Sequence, residues 1–271
     1  AGLLYSDAIT TVSQQYAKDI TTSVFGEGYD DILRERIGSI HGIHNGIDIE
    51  TYNPENASIP FDLNQLSGKE ENKKLLLHEL GFASEDQEDM PLLSVISRLD
   101  DQKGIDLIIN MIRKTDLEGY QLVILGTGSR KYEKELVGLA ERYAERMKVI
   151  IAFDGELAKR IYAGSDIFLM PSRFEPGGLG QLIAMAYGTV PIVRSTGGLK
   201  DTVTDIRKDR DKGNGFCFEE YSVSALTAAL NRAIKTYRTP SWEHIMKNGM
   251  QYEKSWQHSV KQYVQLYQNI I

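Results

Sequence analysis

The chain has 271 residues, enough for one large α/β domain or for one domain and part of a second, and either arrangement would bury a sizeable core. A hydrophobic share of 41% and a charged share of 25% are typical of a globular protein, so the composition gives no sign of disorder. The formal net charge of -7 argues against a broad basic face for nucleic acid or anionic lipid. Any anionic ligand must therefore be held by a local cluster of Lys or Arg.

The cysteine and apolar content indicate the compartment. Cys217 is the only cysteine in the sequence, which rules out an internal disulfide and suits a reducing environment. We interpret it as a buried thiol rather than a nucleophile, because no His lies near it in the sequence. No apolar run approaches the roughly 18 residues that span a bilayer, and no signal peptide is recognisable. We therefore expect a cytosolic protein.

The first 55 residues predict an incomplete unit. "DAITTVS" is typical of a strand, "QQYAKDIT" of a helix and "SIHGIHNGID" of a strand that ends in a turn. One such βαβ-like unit is too small for a domain, and the chain begins without Met. We expect residues 1–55 to be the closing segment of an N-terminal domain, in a chain that is a fragment. Residues 56–91 would be a connecting region, polar from Pro54 to Lys74.

Residues 92–240 alternate between strands and helices. The apolar runs "LLSVIS", "QLVILG", "KVIIAF", "DIFLMPS", "VPIVRS" and "GFCFE" are continuous, as in strands buried on both faces of a parallel sheet. Helices are predicted from Arg130 to Arg146 and from Leu179 to Tyr187. This alternation predicts an α/β fold with a doubly wound parallel sheet. The chain reads as helical from Ser222 onward, with a break at Pro240 and C-terminal helices over residues 241–271.

The loop after the first of these strands carries two cations. Arg98 and Lys103 of "SRLDDQKG" lie between a strand end and a helix start, where ligands of open parallel sheets bind. Cations at a helix N-terminus oppose the helix dipole, and a bound anion would remove that conflict. Arg can form a forked contact with phosphate and Lys can add a point charge, so the pair suits a diphosphate. A solvated surface pair is an equal alternative.

Glycines follow three further strands. Gly126 and Gly128 do not complete a dinucleotide fingerprint, because Lys131 occupies the position of its third glycine, and we favour a tight turn there. In "RFEPGGLG", Glu175 stands beside a glycine-rich helix start, where bare backbone N–H groups predict an anion site. A second such start follows, so two helix starts should converge on one crevice. The residues of these two starts are Gly177, Gly178, Leu179 and Gly180, then Thr196, Gly197 and Gly198.

Metal and hydrolase chemistry are not indicated. The sequence has no His-Glu-x-x-His motif and no paired-cysteine spacing, and none of its five His residues lies beside an obvious nucleophile. His41 and His44 flank a glycine near a turn, and we interpret them as structural or exposed. We therefore expect no bound metal.

Several motifs resemble the bacterial glycogen synthases and plant starch synthases, which are retaining glucosyltransferases of the GT-B fold. The block from Pro171 to Val203 is the most specific of them, and the resemblance covers nearly the whole chain. It implies that the doubly wound sheet is the C-terminal, Rossmann-like half of a GT-B fold, with a remnant of the N-terminal domain. The motifs are "SRLDDQKG", "GTG", "PSRFEPGGLGQLIAMAYGTVPIVRSTGGLKDTV" and "SWQ", with "AGLLYSDAITTVS" and "HNGID" from the family's first domain.

The resemblance also implies a reaction. Family members transfer glucose from ADP-glucose to the nonreducing end of an α-1,4-glucan, without a metal or other cofactor. By matching position, Arg98 and Lys103 would hold the diphosphate and stabilise the leaving ADP, and Glu175 would lie beside the donor glucose. Phe153 would stack on adenine, and Asn45 would reach the donor from the first domain. The candidate substrate-binding residues are Asn45, Gly126, Gly128, Phe153, Gly177, Gly178, Leu179, Gly180, Thr196, Gly197 and Gly198.

Departures from the family limit what the resemblance implies. Gly177 and Gly180 stand where many bacterial members have Cys and Thr, so a side-chain contact to the donor would be lost or replaced by backbone. The sequence also lacks the Lys-Thr-Gly-Gly-Leu motif, the catalytic His and most of the acceptor site of the first domain. We expect the isolated chain to bind ADP, to need the missing N-terminal domain and an α-1,4-glucan for transfer, and to bind neither nucleic acid nor membrane. Its setting would be a bacterial cytoplasm or a plastid stroma.

Two alternatives remain open. The chain could belong to another GT-B glycosyltransferase that uses a UDP- or GDP-sugar, although the long specific block argues against this reading. It could instead be a noncatalytic, glucan-associated module. The presence together of Arg98, Lys103 and Glu175 argues against a lost activity.

Overall fold

The computed structural model describes residues 2–82 and 89–270. Its N-terminal part contains a short parallel strand pair, accompanied by short helices. The predicted strand, helix and second strand are confirmed. These elements are α1 (Gly2–Tyr5), β1 (Ile9–Thr11), α2 (Gln14–Asp19), α3 (Asp30–Glu35) and β2 (Ile40–Gly42), with 3-10 turns at Ile37–Ser39 and Pro54–Asn56.

The expected polar connection from Pro54 to Lys74 is partly wrong, because α4 (Ser67–Glu79) begins inside it. The segment is rich in Lys, Glu and Leu, which favour helices. Its inward face is unusual, since Lys69 and Lys73 are buried beside Leu76 and Leu77. Charged residues on a buried face obscure the apolar period by which a helix is recognised. This is why the polar composition suggested a loop.

Within the described residues, the centre of the structure is a parallel six-stranded sheet. All six predicted apolar runs form its strands. Their spatial order is β5-β4-β3-β6-β7-β8, so the order reverses between β3 and β6 as in a doubly wound sheet. The strands are β3 (Leu92–Ile96), β4 (Gln121–Leu125), β5 (Met147–Ile150), β6 (Ile167–Met170), β7 (Val190–Arg194) and β8 (Phe216–Phe218).

Helices cover both faces of this sheet, which explains the continuous apolar runs. On one face Leu93 and Ile124 belong to the same cluster as Ile108, whereas on the other Leu92 and Val123 pack with Leu76. The helix predicted from Arg130 ends at residue 142, and a helix begins at Pro240 as expected. The remaining helices are α5 (Ile105–Thr115), α6 (Arg130–Arg142), α7 (Gly155–Gly164), α8 (Gly180–Ala186), α9 (Gly197–Thr202), α10 (Val223–Thr236), α11 (Pro240–Gln251) and α12 (Trp256–Ile270).

None of the helices in residues 2–82 and 89–270 combines the length and apolar character needed to cross a membrane.

Just before α12 the chain contacts its N-terminal part, where Ile47 pairs with Ser255 in a parallel bridge. The Ile47 N–H donates to the Lys254 carbonyl at 2.8 Å. A Cβ at Gly46 would collide with the backbone of Ser255 and Trp256. This glycine therefore allows two backbone segments to pack directly against each other.

Two buried lysines support the edge of the sheet opposite the carboxyl ends of the strands. Lys69 Nζ donates to the Thr189 hydroxyl at 2.9 Å and to the Ala163 carbonyl at 3.1 Å. Burial lowers the pKa of Lys69 to about 7. Lys73 pairs with Asp166 at 2.7 Å. Burial alone would lower the pKa of Lys73, but Asp166 and the Tyr237 hydroxyl raise it above its ordinary value.

The loops after β3 and β4 continue the pairing of these strands. The Leu99 N–H donates to the Thr127 carbonyl at 2.9 Å, and the Leu99 carbonyl accepts from the Ser129 N–H at 2.8 Å. A Cβ at Gly126 would collide with the Ser97 carbonyl, and one at Gly128 with the Leu99 backbone. The two glycines of the Gly-Thr-Gly segment are thus explained by close backbone contact along an extension of the strand pairing, not by the tight turn that we favoured from the sequence.

We predict that Lys69 makes the stability of the protein depend on pH. Between pH 7 and its ordinary pKa of 10.5, the unfolded chain binds a proton that the folded chain does not, so the free energy of unfolding should rise with pH. Lys69→Met should reduce this rise in urea unfolding measured from pH 6 to 9. Lys74→Met, an exposed change on the same helix, controls for net charge. An unchanged pH slope in Lys69→Met would contradict the prediction.

We also predict that Gly126→Ala destabilises the fold by about 1–3 kcal/mol, because the added methyl group must displace the Ser97 carbonyl. Gly138→Ala is the matched control, since a Cβ there meets nothing within 4 Å and Ala favours the helix interior. Denaturant unfolding of both variants measures the difference. Equal stability of the two variants would show that the loop yields without cost.

Candidate active site

The strand order brings two loops together where it reverses. Lys103 follows β3 and Glu175 follows β6, and their side chains form an ion pair with 2.6 Å between Nζ and Oε2. Glu175 is only 6% exposed. The Ser172 hydroxyl donates a second hydrogen bond to the same oxygen at 3.2 Å. Within the described residues Oε1 accepts no hydrogen bond, so this oxygen remains available to a ligand.

The ion pair borders a cavity of about 320 Å³ at the carboxyl ends of the strands. Ligands of open α/β sheets bind at this edge, where the strand order reverses. The cavity brings together both charged groups, the glycine-rich turn and an aromatic ring. Its lining includes Ser97, Lys103, Tyr162, Ser172, Glu175 and residues 177–180.

Local backbone geometry positions Lys103. Its N–H donates to the Asp100 carboxylate at 3.0 Å. The next residue, Gly104, has a φ of 72° and precedes α5. A Cβ at Gly104 would collide with the Pro171 carbonyl. Glycine therefore serves two needs here, a left-handed backbone and close approach of the loop that carries Glu175.

Arg98 lies apart from the ion pair. Its side chain is 68% exposed and is 3.3 Å from the Asp100 carboxylate, and it donates to Gln102 Oε1 at 3.1 Å. It does not line the cavity among the described residues. The positive charges at the start of α5 are thus balanced, that of Arg98 by Asp100 and that of Lys103 by Glu175. The conflict with the helix dipole alone does not require a bound anion.

The glycine-rich turn is closely packed. A Cβ at Gly177 would lie 2.8 Å from the Val12 side chain, and one at Gly180 would lie 3.0 Å from the Phe168 ring. At Gly178 it would approach Gln181 Oε1 at 2.7 Å. The Gln181 Oε1 atom is buried with no hydrogen-bond partner in residues 2–82 and 89–270. Side chains at these glycines would have to displace neighbours on the inner side of the turn.

The second glycine-containing helix start, that of α9, packs against the backbone of the loop that carries Glu175. Gly197 has a φ of 46°, and a Cβ there would collide with the Glu175 carbonyl. The Gly198 N–H donates to that carbonyl at 2.9 Å. The start of α9 therefore holds the backbone of Glu175, so the Gly198 N–H already has a protein partner. Thr196, Gly197 and Gly198 are buried and do not line the cavity in the described part of the chain.

Two further candidates lie outside this cavity. Phe153 follows β5 at the carboxyl edge of the sheet, and its ring is 98% exposed. Asn45 is partly exposed and lies between His44, which contacts Asp201, and Gly46, which packs against Ser255. Neither is hydrogen-bonded to the ion pair within the described ranges. Their roles toward a ligand stay predictions.

Asp201, which was not among the residues predicted for the site, joins α9 to the N-terminal part. Its carboxylate accepts from the Gln15 N–H at 2.9 Å and lies 3.2 Å from His44 Nε2. Burial alone would raise the pKa of Asp201, but the hydrogen bonds from His44 and Gln15 hold it below its ordinary value. A carboxylate at the start of α2 is favourably placed in the helix dipole. Its partners are 186 and 157 positions away in the sequence, so no local pattern identifies them.

The cysteine has a structural environment. Burial raises the pKa of Cys217 to about 12, and its thiol lies 3.5 Å from the Val203 carbonyl. This environment disfavours a thiolate nucleophile, as expected.

In the part of the chain that the structure describes, no group of three or more His, Cys, Asp or Glu side chains could hold a metal ion.

Comparisons with known proteins agree with these features. A family model described as glycosyl transferases group 1 matches residues 79–251, and one described as starch synthase catalytic domain matches residues 1–35. Glycogen synthase from Fervidobacterium nodosum is 45% identical over 98% of this chain, and that from Kosmotoga olearia is 45% identical over all of it. The chain spans 55% and 57%, respectively, of these relatives' lengths.

A solved structure extends the comparison. The catalytic domain of starch synthase IV from Arabidopsis thaliana, bound to ADP and acarbose, matches 99% of this chain with a TM-score of 0.92 and 36% identity. The chain covers 56% of that structure. The expected resemblance to glycogen and starch synthases and the expected GT-B type of fold are confirmed. The chain belongs to the group 1 family of glycosyl transferases.

Proposed function

We propose that this chain is the nucleotide-sugar-binding part of a glycogen synthase, which transfers glucose from ADP-glucose to the nonreducing end of an α-1,4-glucan with retention. The observation that carries the proposal is the ion pair of Lys103 and Glu175 in the cavity where the strand order reverses. The similarity to glycogen synthases along the whole chain supports it.

Lys103 has the chemistry that a leaving diphosphate requires. Its side chain is 18% exposed, so water screens its charge less than on an open surface. Negative charge develops on the diphosphate as the bond to glucose breaks, and a fixed cation stabilises that charge. Arg98 would add a forked contact after turning from Asp100 and Gln102 to the phosphate. No metal ion is needed for either contact.

Glu175 would orient the sugar. Its Oε2 atom is fixed by Lys103 and Ser172, while Oε1 accepts no hydrogen bond within the described residues. A carboxylate oxygen held in this way can accept from a hydroxyl of the donor glucose or stabilise positive charge at its reacting carbon. Backbone groups of residues 178–180 would contact phosphate or sugar, since they line the same cavity.

The whole reaction would need more than this chain. Residues 1–55 would belong to the first domain, and Asn45 would reach the donor from there. The chain spans little more than half of its relatives, so the remainder would supply most of the acceptor site. Mixing the chain with the N-terminal domain of a relative, labelled ADP-glucose and maltooligosaccharide tests this directly. Binding of ADP-glucose without any transfer would favour a noncatalytic module.

Lys103 should contribute directly to ADP binding. Lys103→Ala should weaken binding of ADP by about 1.5–3 kcal/mol, the usual loss for a hydrogen bond to a charged group. Calorimetry on the isolated chain measures the change, with exposed Lys114→Ala as the control for net charge. Unchanged affinity for ADP would place the diphosphate elsewhere. Equal binding of ADP, UDP and GDP by the unaltered chain would contradict an adenine-specific site.

Phe153 should also contribute to ADP binding. Phe153→Ala should weaken ADP binding by about 1 kcal/mol or more if the exposed ring stacks on adenine. Phe153→Tyr should retain affinity, because it keeps the aromatic face. Thermal unfolding should be nearly unchanged in both variants, since the ring is 98% exposed. Full ADP affinity in Phe153→Ala would remove this residue from the nucleotide site.

A further inference from the structure

Arg194, at the end of β7, donates hydrogen bonds to two backbone carbonyls. Its Nε donates to the Glu219 carbonyl at 3.0 Å and its Nη1 donates to the Arg173 carbonyl at 2.6 Å. The guanidinium thus connects the chain after β8 with the loop after β6. Because the guanidinium is planar and its donors have a fixed geometry, it fixes the positions of the two carbonyls relative to each other.

The Arg173 carbonyl belongs to the short segment that ends at Glu175. The Arg173 N–H donates to the Gln102 carbonyl at 2.8 Å, next to Lys103. At the other end of the segment, the Glu175 carbonyl accepts from the Gly198 N–H at 2.9 Å. Residues 173–175 lie in no helix or strand, so these tertiary hydrogen bonds define the path of their backbone.

The Tyr221 ring packs against the side chains of both Arg173 and Arg194. The Tyr221 ring lies 4.4 Å from the guanidinium carbon of Arg173 and 5.6 Å from that of Arg194, measured to the ring centroid. The Tyr221 hydroxyl donates to Asp106, at the start of α5. The two cations share one aromatic ring, which offsets part of their mutual repulsion. Arg194 is thereby held in its contact with the Arg173 carbonyl.

We propose that Arg194 is a positioning residue, which sets the distance between Glu175 and Lys103 by holding the Arg173 carbonyl. It does not line the cavity in the described part of the chain, so it acts through the loop and not on a ligand. This inference rests on the proposed function, because it assigns Arg194 to the recognition of the donor sugar by Glu175.

The test separates sugar recognition from nucleotide binding. Calorimetry gives the ratio of the affinities for ADP-glucose and ADP in the unaltered chain, in Arg194→Gln and in Arg194→Lys. Arg194→Gln should lower this ratio about tenfold, the effect of misplacing one charged hydrogen-bonding group. Affinity for ADP itself should fall less than threefold. Arg194→Lys should give an intermediate ratio, because Lys can still donate to one carbonyl.

Arg232→Lys is the matched control. That guanidinium also donates to a backbone carbonyl, of Cys217 at 2.9 Å, but it pairs with Asp205 away from the cavity. Arg232→Lys should change the stability of the protein without changing the ratio of the affinities for ADP-glucose and ADP. If Arg194→Gln leaves the ratio unchanged, or lowers both affinities equally, the positioning role is wrong.

A ligand-free measurement keeps the two proposals distinct. Amide hydrogen exchange over residues 171–177 should become faster in Arg194→Gln and stay unchanged in Arg232→Lys, because only the former loses a contact with this segment. Unchanged exchange in Arg194→Gln would overturn the positioning role whether or not a nucleotide binds. Failure of the unaltered chain to bind ADP would instead contradict the proposed function.

Discussion

The reversal of strand order between β3 and β6 determines what the rest of the site can be. Crossovers on the two sides of this point lead away from each other, so the loops after these strands face a shared crevice that no crossover helix fills. Lys103 and Glu175 occupy those two loops. Gly104 allows them to approach, since any side chain there would collide with Pro171. Close backbone packing is thus a condition for the ion pair.

The ion pair is poorly explained as a source of stability. Removing a lysine and a glutamate from water costs several kcal/mol for each charge, and their attraction often does little more than offset that cost. Apolar residues of similar size could fill the same space. The protein instead supports the pair with Ser172 and with backbone hydrogen bonds at Lys103 and Glu175. Such support is expected where a charge must be held ready for a ligand.

Much of the fold was predictable because buried parallel strands give continuous apolar runs, and these runs located every strand of the large sheet. Glu175 and Lys103 were recognisable because each lies in the loop that follows such a run. The helix α4 escaped prediction because its buried face contains Lys69 and Lys73, whose charges are satisfied by partners far along the chain. The hydrogen bond from the Gly198 N–H to the Glu175 carbonyl could not be predicted from the sequence either. A sequence shows that a glycine permits close approach, but not which atom approaches.

The helix α9 has six residues, so it is only about 9 Å long. Its first turn holds the Glu175 carbonyl through Gly198, and its Asp201 holds the N-terminal part through Gln15 and His44. One short helix thus contacts both the Glu175 backbone and the N-terminal part. If α2 shifts relative to the large sheet, either the bonds of Asp201 break or α9 moves with it and carries the Glu175 backbone along. The position of the Glu175 backbone therefore depends on how the N-terminal part packs against α9.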